Sequence, residues 1–256
     1  MKTSGRHYDV PAMLANCRQY WVNYSPNTQA DGAVTVYRTG VPHPLLNGVL
    51  QLKQGAKHII PDVVSQLAKM PSAWWVGADS YPAATQDVLD AGGKLIAKVP
   101  VMAIHLRELS SKVEIPVNCT LELLDETEDL PAWVQCYCEP MGVSEKDFAA
   151  MLFAERSRRD APGQLLRFAA RADGQIVGTS ELFIHEGVAG VYLVATKKSH
   201  RRLGIGTALT HAACMAGLER GLDVATLQAS SSGYPVYKKL GFDDVTAYDM
   251  LSFSKA

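Results

Sequence analysis

Apolar residues recur at helical spacing at Val10, Met13, Leu14, Cys17 and Trp21, which predicts an amphipathic helix near the start of the chain. Residues 34–37 read as a short strand and 39–44 as a Gly/Pro turn. Asn47-Gly48 stands between apolar runs and predicts a hairpin turn. A second helix is expected over 59–70, with Pro61 early, where proline is tolerated. Residues 73–77 form an aromatic-rich strand, 84–91 a short helix stopped by Gly92-Gly93, and 94–106 one or two strands.

The pattern then lapses. Residues 109–116 are polar, end in proline and have no period, so the chain is expected to divide there, into 1–112 and 117–256. In the second segment a strand is expected over 120–124, an acidic-started helix over 125–139, and another helix from Ser144, where Asp147 completes a capping-box spacing. Asp173-Gly174 predicts a hairpin between strands 165–172 and 175–184, and a further strand covers 188–196. The chain continues as helix (204–220), strand (224–229), short helix (235–240) and strand (246–253). Both segments end in a strand, a short helix stopped by glycine, and more strand, the pattern of a degenerate internal duplication.

Composition narrows the classes. The 256 residues are 47% hydrophobic and 20% charged, a globular composition. Twenty-five basic residues against 26 acidic ones leave a net charge of -1, so no bulk attraction to nucleic acid or an anionic membrane is expected, and any anion site must be local. The five cysteines have no disulfide-framework spacing. Cys136 and Cys138, two apart on a predicted helix, face different ways and are read as buried thiols, not metal ligands. With no leader-like or membrane-length apolar stretch, a cytoplasmic protein without a metal is expected.

The chemistry concentrates in residues 191–207, VYLVATKKSHRRLGIGT. An apolar strand runs into a basic turn, and a helix begins at or near Gly204, with Ile205, Leu209, Ala212, Ala213 and Ala216 at helical period. The first turn of a helix carries unpaired N–H groups and the positive end of the dipole. Glycines there let a bulky anion approach, and Lys197, Lys198, Arg201 and Arg202 add charge. A P-loop fails because Gly206 is followed by Thr207-Ala208, and a dinucleotide fingerprint lacks its third small residue, since Leu209 stands there.

Arg201, Gly204 and Gly206 fit an Arg/Gln-x-x-Gly-x-Gly/Ala signature, and Tyr237-Lys238-Lys239-Leu240-Gly241-Phe242 follows after a strand. In both features the C-terminal half resembles the GNAT N-acetyltransferases over about 130 residues. The resemblance implies an α/β (α+β) fold, a mixed sheet flanked by helices, preceded here by a smaller, GNAT-like α/β unit. It implies acetyl-CoA as cosubstrate: backbone groups of Leu193, Val194 and Thr196 along the pantetheine arm, and the segment Arg201, Arg202, Leu203, Gly204, Ile205, Gly206 and Thr207 around the diphosphate. Ser230 stands where many relatives place an asparagine that contacts the cofactor, and Tyr237 takes the place of the acid that protonates the leaving thiolate.

A general base is not legible. In part of the family a glutamate sits early on the strand before the motif, and the matching place here is near Gly190, which has no side chain. Glu181, His185, Glu186 and Glu139 are the remaining candidates, and each reads as well as structure. Trp74, Trp75 and Trp133 are candidates for pocket wall or core. The leading expectation is acetyl transfer to a primary amine of a small molecule or peptide. The alternatives are a non-catalytic coenzyme A or acyl-CoA binding module and an aminoacyl-tRNA-dependent transferase, which the neutral charge disfavours.

Overall fold

A computed structural model describes residues 7–25, 28–30, 32–110, 113–124 and 128–253. The elements run α1 (Val10–Tyr24), β1 (Val34–Arg38), β2 (Asn47–Leu52), α2 (Ile60–Leu67), β3 (Ala73–Val76), α3 (Ala84–Asp90) and β4 (Lys94–His105). They continue β5 (Cys119–Leu123), α4 (Leu130–Met141), α5 (Phe148–Arg156), β6 (Leu165–Ala172), β7 (Gln175–His185), β8 (Val188–Thr196), α6 (Ile205–Glu219), β9 (Val224–Gln228), α7 (Tyr234–Leu240) and β10 (Asp243–Ser252). The strands make one 10-stranded mixed sheet in the order β1-β2-β3-β10-β4-β9-β8-β7-β6-β5, with helices packed on it, which is the expected fold class.

The order carries the internal duplication. In the first half β1 and β2 are antiparallel, α2 crosses over, and β3 returns parallel to β2. In the second half β7 and β8 are antiparallel, α6 crosses over, and β9 returns parallel to β8. Each half then adds a short helix and a last strand, β4 or β10. Those last strands are exchanged: β10 pairs with β3, β4 pairs with β9, and the two pair with each other from Asp243↔Ala103 to Ser252↔Lys94. The residues before and after the break near 112 therefore hydrogen-bond across the centre of one sheet.

Several local expectations are corrected. Asn47-Gly48 is no hairpin turn but the start of β2. A Cβ on Gly48 would lie 1.8 Å from the Ala73 carbonyl oxygen, so glycine serves the close approach of β3. The Asn47 amide instead fastens the real connection, donating to the Val41 and His43 carbonyls at 2.7 and 3.1 Å. Of the one or two strands expected over 94–106, the structure has one, 94–105. Ser144 makes no side-chain cap, and a 3-10 turn (Glu145–Asp147) precedes α5. The expected start of the 125–139 helix lies outside the described residues; the helix runs from Leu130.

Helix α1 is seated on the second half through buried polar groups. The Asn16 amide donates to the carbonyls of Phe183, His185 and Val188, and the Tyr192 hydroxyl donates to Asn16 Oδ1 at 2.7 Å. Tyr20 stacks on Tyr192, with centroids 3.7 Å apart and planes 6° from parallel.

Removing β4 would leave β9 and β10 with unpaired edges at the sheet centre. Residues 117–256 expressed alone should be insoluble or lack a cooperative melt, and co-expression with 1–112 should restore both. A stable, cooperatively melting C-terminal fragment would contradict the exchange.

Candidate active site

The parallel pairing of β8 with β9 covers only Val188↔Val224 to Gly190↔Thr226, and beyond it the strands part. β8 then bulges: Thr179 faces Ala195 and Glu181 faces Tyr192, so Leu193 and Val194 share the single place opposite Ser180. Leu193 takes φ 44°, and Thr179 Oγ1 donates to its carbonyl at 2.8 Å. The bulge interrupts the ladder with β7 at 193–194, beside the gap where β8 and β9 part.

At the end of β8 the basic turn uses two left-handed residues, Arg202 (φ 63°) and Gly204 (φ 89°), to enter α6. Gly204 is the N-cap, and no side chain caps the helix. The first intrahelical bond runs from Ala208 N to Gly204 O at 3.0 Å, so the amides before it have no partner within the helix. The helix is anchored where Ile205 and Leu209 cover Gly178 of β7, whose added Cβ would meet them at 2.7 and 2.8 Å. Gly206 is different: an added Cβ would find only Val194 and Thr196 atoms at 3.8 and 3.9 Å, so no protein contact demands glycine there. Its bare face opens into a cavity of about 730 Å³.

That outer cavity is lined by Val194, Thr196, Arg201, Arg202, Gly204, Ile205, Gly206, Thr207, Ser230 and Tyr237. Leu193 lines instead an adjoining inner cavity of about 410 Å³, and Leu203 lines neither, its side chain being exposed. The sequence reading missed Ala195, His200, Ser232, Gly233, Pro235, Val236, Lys239 and Pro140 in the outer cavity. The Arg201 guanidinium donates to the Thr196 carbonyl at 3.3 Å, which fixes the turn. Ser230 Oγ accepts from Gly233 N at 3.1 Å, so it also caps the loop into α7.

Val194, Ala195, Pro140, Ser230 and Tyr237 line both cavities. Tyr237 thus stands at their junction, its ring resting on Gly233, where a Cβ would lie 2.8 Å from the ring edge. Burial pushes its phenol up to about 12, so it stays protonated across the physiological range. Among the described residues its hydroxyl has no hydrogen-bond partner in a protein side chain or backbone.

The inner cavity draws on both halves: Trp21, Leu45, Trp75, Ala97 and Val99 from the first, and Tyr137, Met141, Val191–Ala195, Gln228 and Met250 from the second. Of the three tryptophans, Trp75 is wall; Trp74 packs on Phe253, and Trp133 is core, with Nε1 donating to the Phe168 carbonyl at 2.9 Å. Trp21 and Leu45 could not be foreseen, because only the docking of the first half brings them to β8.

The base candidates do not gather here. At Gly190 a Cβ would collide with Asn16 Oδ1 at 2.1 Å and Tyr192 Cε2 at 2.4 Å, so the space beside Gly190 is already filled. Glu181 is fully buried and lines neither cavity. It accepts from Tyr20 at 2.6 Å and lies 3.2 Å from Arg167, inside a network of Glu155, Arg158, Tyr24 and Tyr137. Arg167 and Arg158 hold Glu155 ionised, while desolvation and the Glu155 charge push Glu181 up to about 7. His185 and Glu186 sit at the strand end, 3.7 Å apart, and Glu139 lines a separate depression with Lys197 and Lys198. Cys136 and Cys138 are buried in α4, and among the described residues no group of three or more His, Cys, Asp or Glu is placed to hold a metal ion.

This geometry meets an independent finding: residues 128–242 match the model of the acetyltransferase (GNAT) family. Residues 128–242 form a GNAT-family acetyltransferase domain. No curated protein matches the chain by sequence. Among solved structures, a GCN5-related N-acetyltransferase from Kribbella flavida is similar over 96% of both chains, at 17% identity and TM-score 0.71. Another from Sphaerobacter thermophilus covers 88% of this chain and 78% of its own, at 18% identity and TM-score 0.63. A tandem GNAT protein from the clavulanic acid biosynthesis pathway covers 91% and 85%, at 12% identity and TM-score 0.62. At these identities the likeness is one of fold, and it extends the GNAT fold over the first half.

Two expectations follow. Gly206→Glu should lower coenzyme A affinity by at least about 100-fold, because it places bulk and like charge before the helix amides, and should leave the melting temperature within about 2 °C; calorimetry and a thermal melt check both. For Glu181, whose folded value of about 7 exceeds the ordinary 4.5, stabilisation is complete below 4.5 and is lost as pH rises through 7. Glu181→Gln should therefore flatten the fall in melting temperature between pH 5 and pH 8.

Proposed function

We propose that the protein is an N-acetyltransferase, moving the acetyl group of acetyl-CoA to a primary amine by direct attack on the thioester. The observation that supports it is the junction at Tyr237, where the cavity before the α6 amides meets a second cavity lined by the bulged stretch of β8. The first-turn amides at 205–207, with Arg201 and Arg202, fit a diphosphate, since Gly206 leaves room that no protein atom fills. Leu193, Val194 and Thr196 fit the pantetheine arm, with Ser230 on the facing loop. The cosubstrate contributes the activated acyl group.

The residues then have simple work. The β8 amides at the bulge polarise a carbonyl placed in the gap and stabilise its developing negative charge. Nitrogen bonds to the carbonyl carbon, the C–S bond breaks, and one proton passes in net from nitrogen to sulfur. Tyr237, pushed up to about 12, is a poor full donor but a firm hydrogen-bond donor to the departing sulfur, and it hands over its proton only as another arrives. Among the described residues no carboxylate or imidazole lines the inner cavity, so none of the side chains placed there can take the amine proton at neutral pH. A free primary amine titrates near about 10, and an apolar cavity selects its neutral form. Deprotonation therefore belongs to binding, and no base is required.

Among the described residues no helix is long and apolar enough to cross a membrane. Its cysteines are free, and a cytoplasmic setting belongs to the same proposal.

Tyr237→Phe should lower kcat by about 100-fold, within the usual range for acid–base groups, with the dissociation constant for coenzyme A changed less than about 3-fold. Loss of thioester absorbance with a panel of amines measures the first and calorimetry the second. Normal turnover in the variant removes the tyrosine from the mechanism. Tight coenzyme A binding with no turnover of any amine favours a non-catalytic acyl-CoA binding module.

A further inference from the structure

The inner cavity is walled largely by aromatic side chains, two of which turn their polar ends elsewhere. Tyr137 lines it, but its hydroxyl donates to Glu155 at 2.8 Å; Tyr192 lines it, but its hydroxyl donates to Asn16 at 2.7 Å. Trp21 and Trp75, both from the first half, lie side by side with ring centroids 6.3 Å apart, and Met141, Met250, Leu45 and Val99 complete an apolar wall. Among the described residues no Asp, Glu, Lys, Arg or His lines the cavity. Its volume of about 410 Å³ lies in the range of small-molecule sites, roughly 300–1,000 Å³.

Resting on the acyl-transfer reading, we propose that the acceptor is an arylalkylamine, an uncharged aromatic body carrying a primary amine and no carboxylate. Flat ring faces recognise an aromatic body by stacking and edge contacts. A carboxylate brought into this cavity would lose its hydration and meet no cation, so amino acids are excluded. A second ammonium, as in a polyamine, would meet no anion. The neutral polar groups on offer are Ser230 and Gln228, whose buried side-chain amide lies beside the Tyr192 hydroxyl, and they suit a ring hydroxyl or ether oxygen. Both halves are needed, because Trp21 and Trp75 come from the first and Tyr137 and Tyr192 from the second.

The test uses the full chain with saturating acetyl-CoA and follows thiol release from 2-phenylethylamine, phenylalanine, ethylamine and spermidine. The expected kcat/KM for 2-phenylethylamine exceeds that for phenylalanine by at least about 100-fold and that for ethylamine by about 10-fold. Trp75 is buried and its loss can unfold the chain, so the informative variant is Ala97→Lys on the exposed rim of the cavity. It should narrow the gap between 2-phenylethylamine and phenylalanine at least 10-fold while coenzyme A affinity holds.

Preference for phenylalanine or spermidine, with transfer intact, overturns the acceptor class and leaves the acyl-transfer reading standing. Equal or better use of hexanoyl-CoA with ethylamine assigns the cavity to the acyl chain and also overturns it. No thiol release with any amine, although coenzyme A binds, overturns both.

Discussion

The antiparallel pair of β4 and β10 at the centre of the sheet is the constraint on which the rest depends. Each strand belongs to one half of the chain by sequence and to the other by its outer neighbour, β4 beside β9 and β10 beside β3. The hydrogen bonds of either half are therefore incomplete alone. The exchange also fixes the approach of the halves, which is why Trp75 and Trp21 can face Tyr137 and Tyr192 across a cavity. The outer cavity, by contrast, is lined wholly from the second half. One half holds what the family shares, and both build what distinguishes this chain.

Helix α1 shows how such a seam is kept in register. Asn16 satisfies three carbonyls at the β7–β8 turn and accepts from Tyr192, filling the space a side chain at Gly190 would need. Tyr20 and Tyr24 reach the carboxylates of Glu181 and Glu155, and Arg158 lies 4.6 and 4.0 Å from their ring centroids. A buried ionic network of this kind is a weak source of net stability but a strong penalty on any other docking, since a shifted helix would strand charges without partners. The same groups that fill the space beside Gly190 set the geometry of the seam.

How much of this is legible in sequence follows from how local each feature is. The glycine-opened helix, the basic turn and the Tyr237-to-Phe242 ending are contiguous, and their chemistry lies in backbone amides that any such sequence presents. The fold class follows from the same segments, and the repeated strand–helix–strand endings foreshadow the duplication. The exchange is not legible: Thr226 reaches Met102 across 124 residues, and no local pattern encodes that partner. Asn47-Gly48 misleads because a hairpin glycine and a close-approach glycine look alike until Ala73 lies against one of them. For Glu181, strand alternation gives the face but not the helix that covers it.

The missing base and the apolar cavity are two sides of one arrangement. A carboxylate beside the acceptor would help draw the proton from an ammonium, yet it would bind the charged form first and leave a buried charge to neutralise. On the proposed reading a cavity of hydrocarbon and ring faces does the reverse: it admits the small neutral fraction of the amine and holds it near the gap in β8. That strategy is efficient only where the body of the acceptor supplies the binding energy, because the amine itself gains little. An aromatic body between Trp75, Trp21, Tyr137 and Tyr192 provides that energy, and a bare small amine does not. Tyr237 fits the same logic at the other end of the reaction, since a phenol kept neutral by burial can meet the departing sulfur without placing a charge in the junction. The chemistry is thus arranged by excluding charge, and the strand exchange is what brings enough apolar surface to one place to do so.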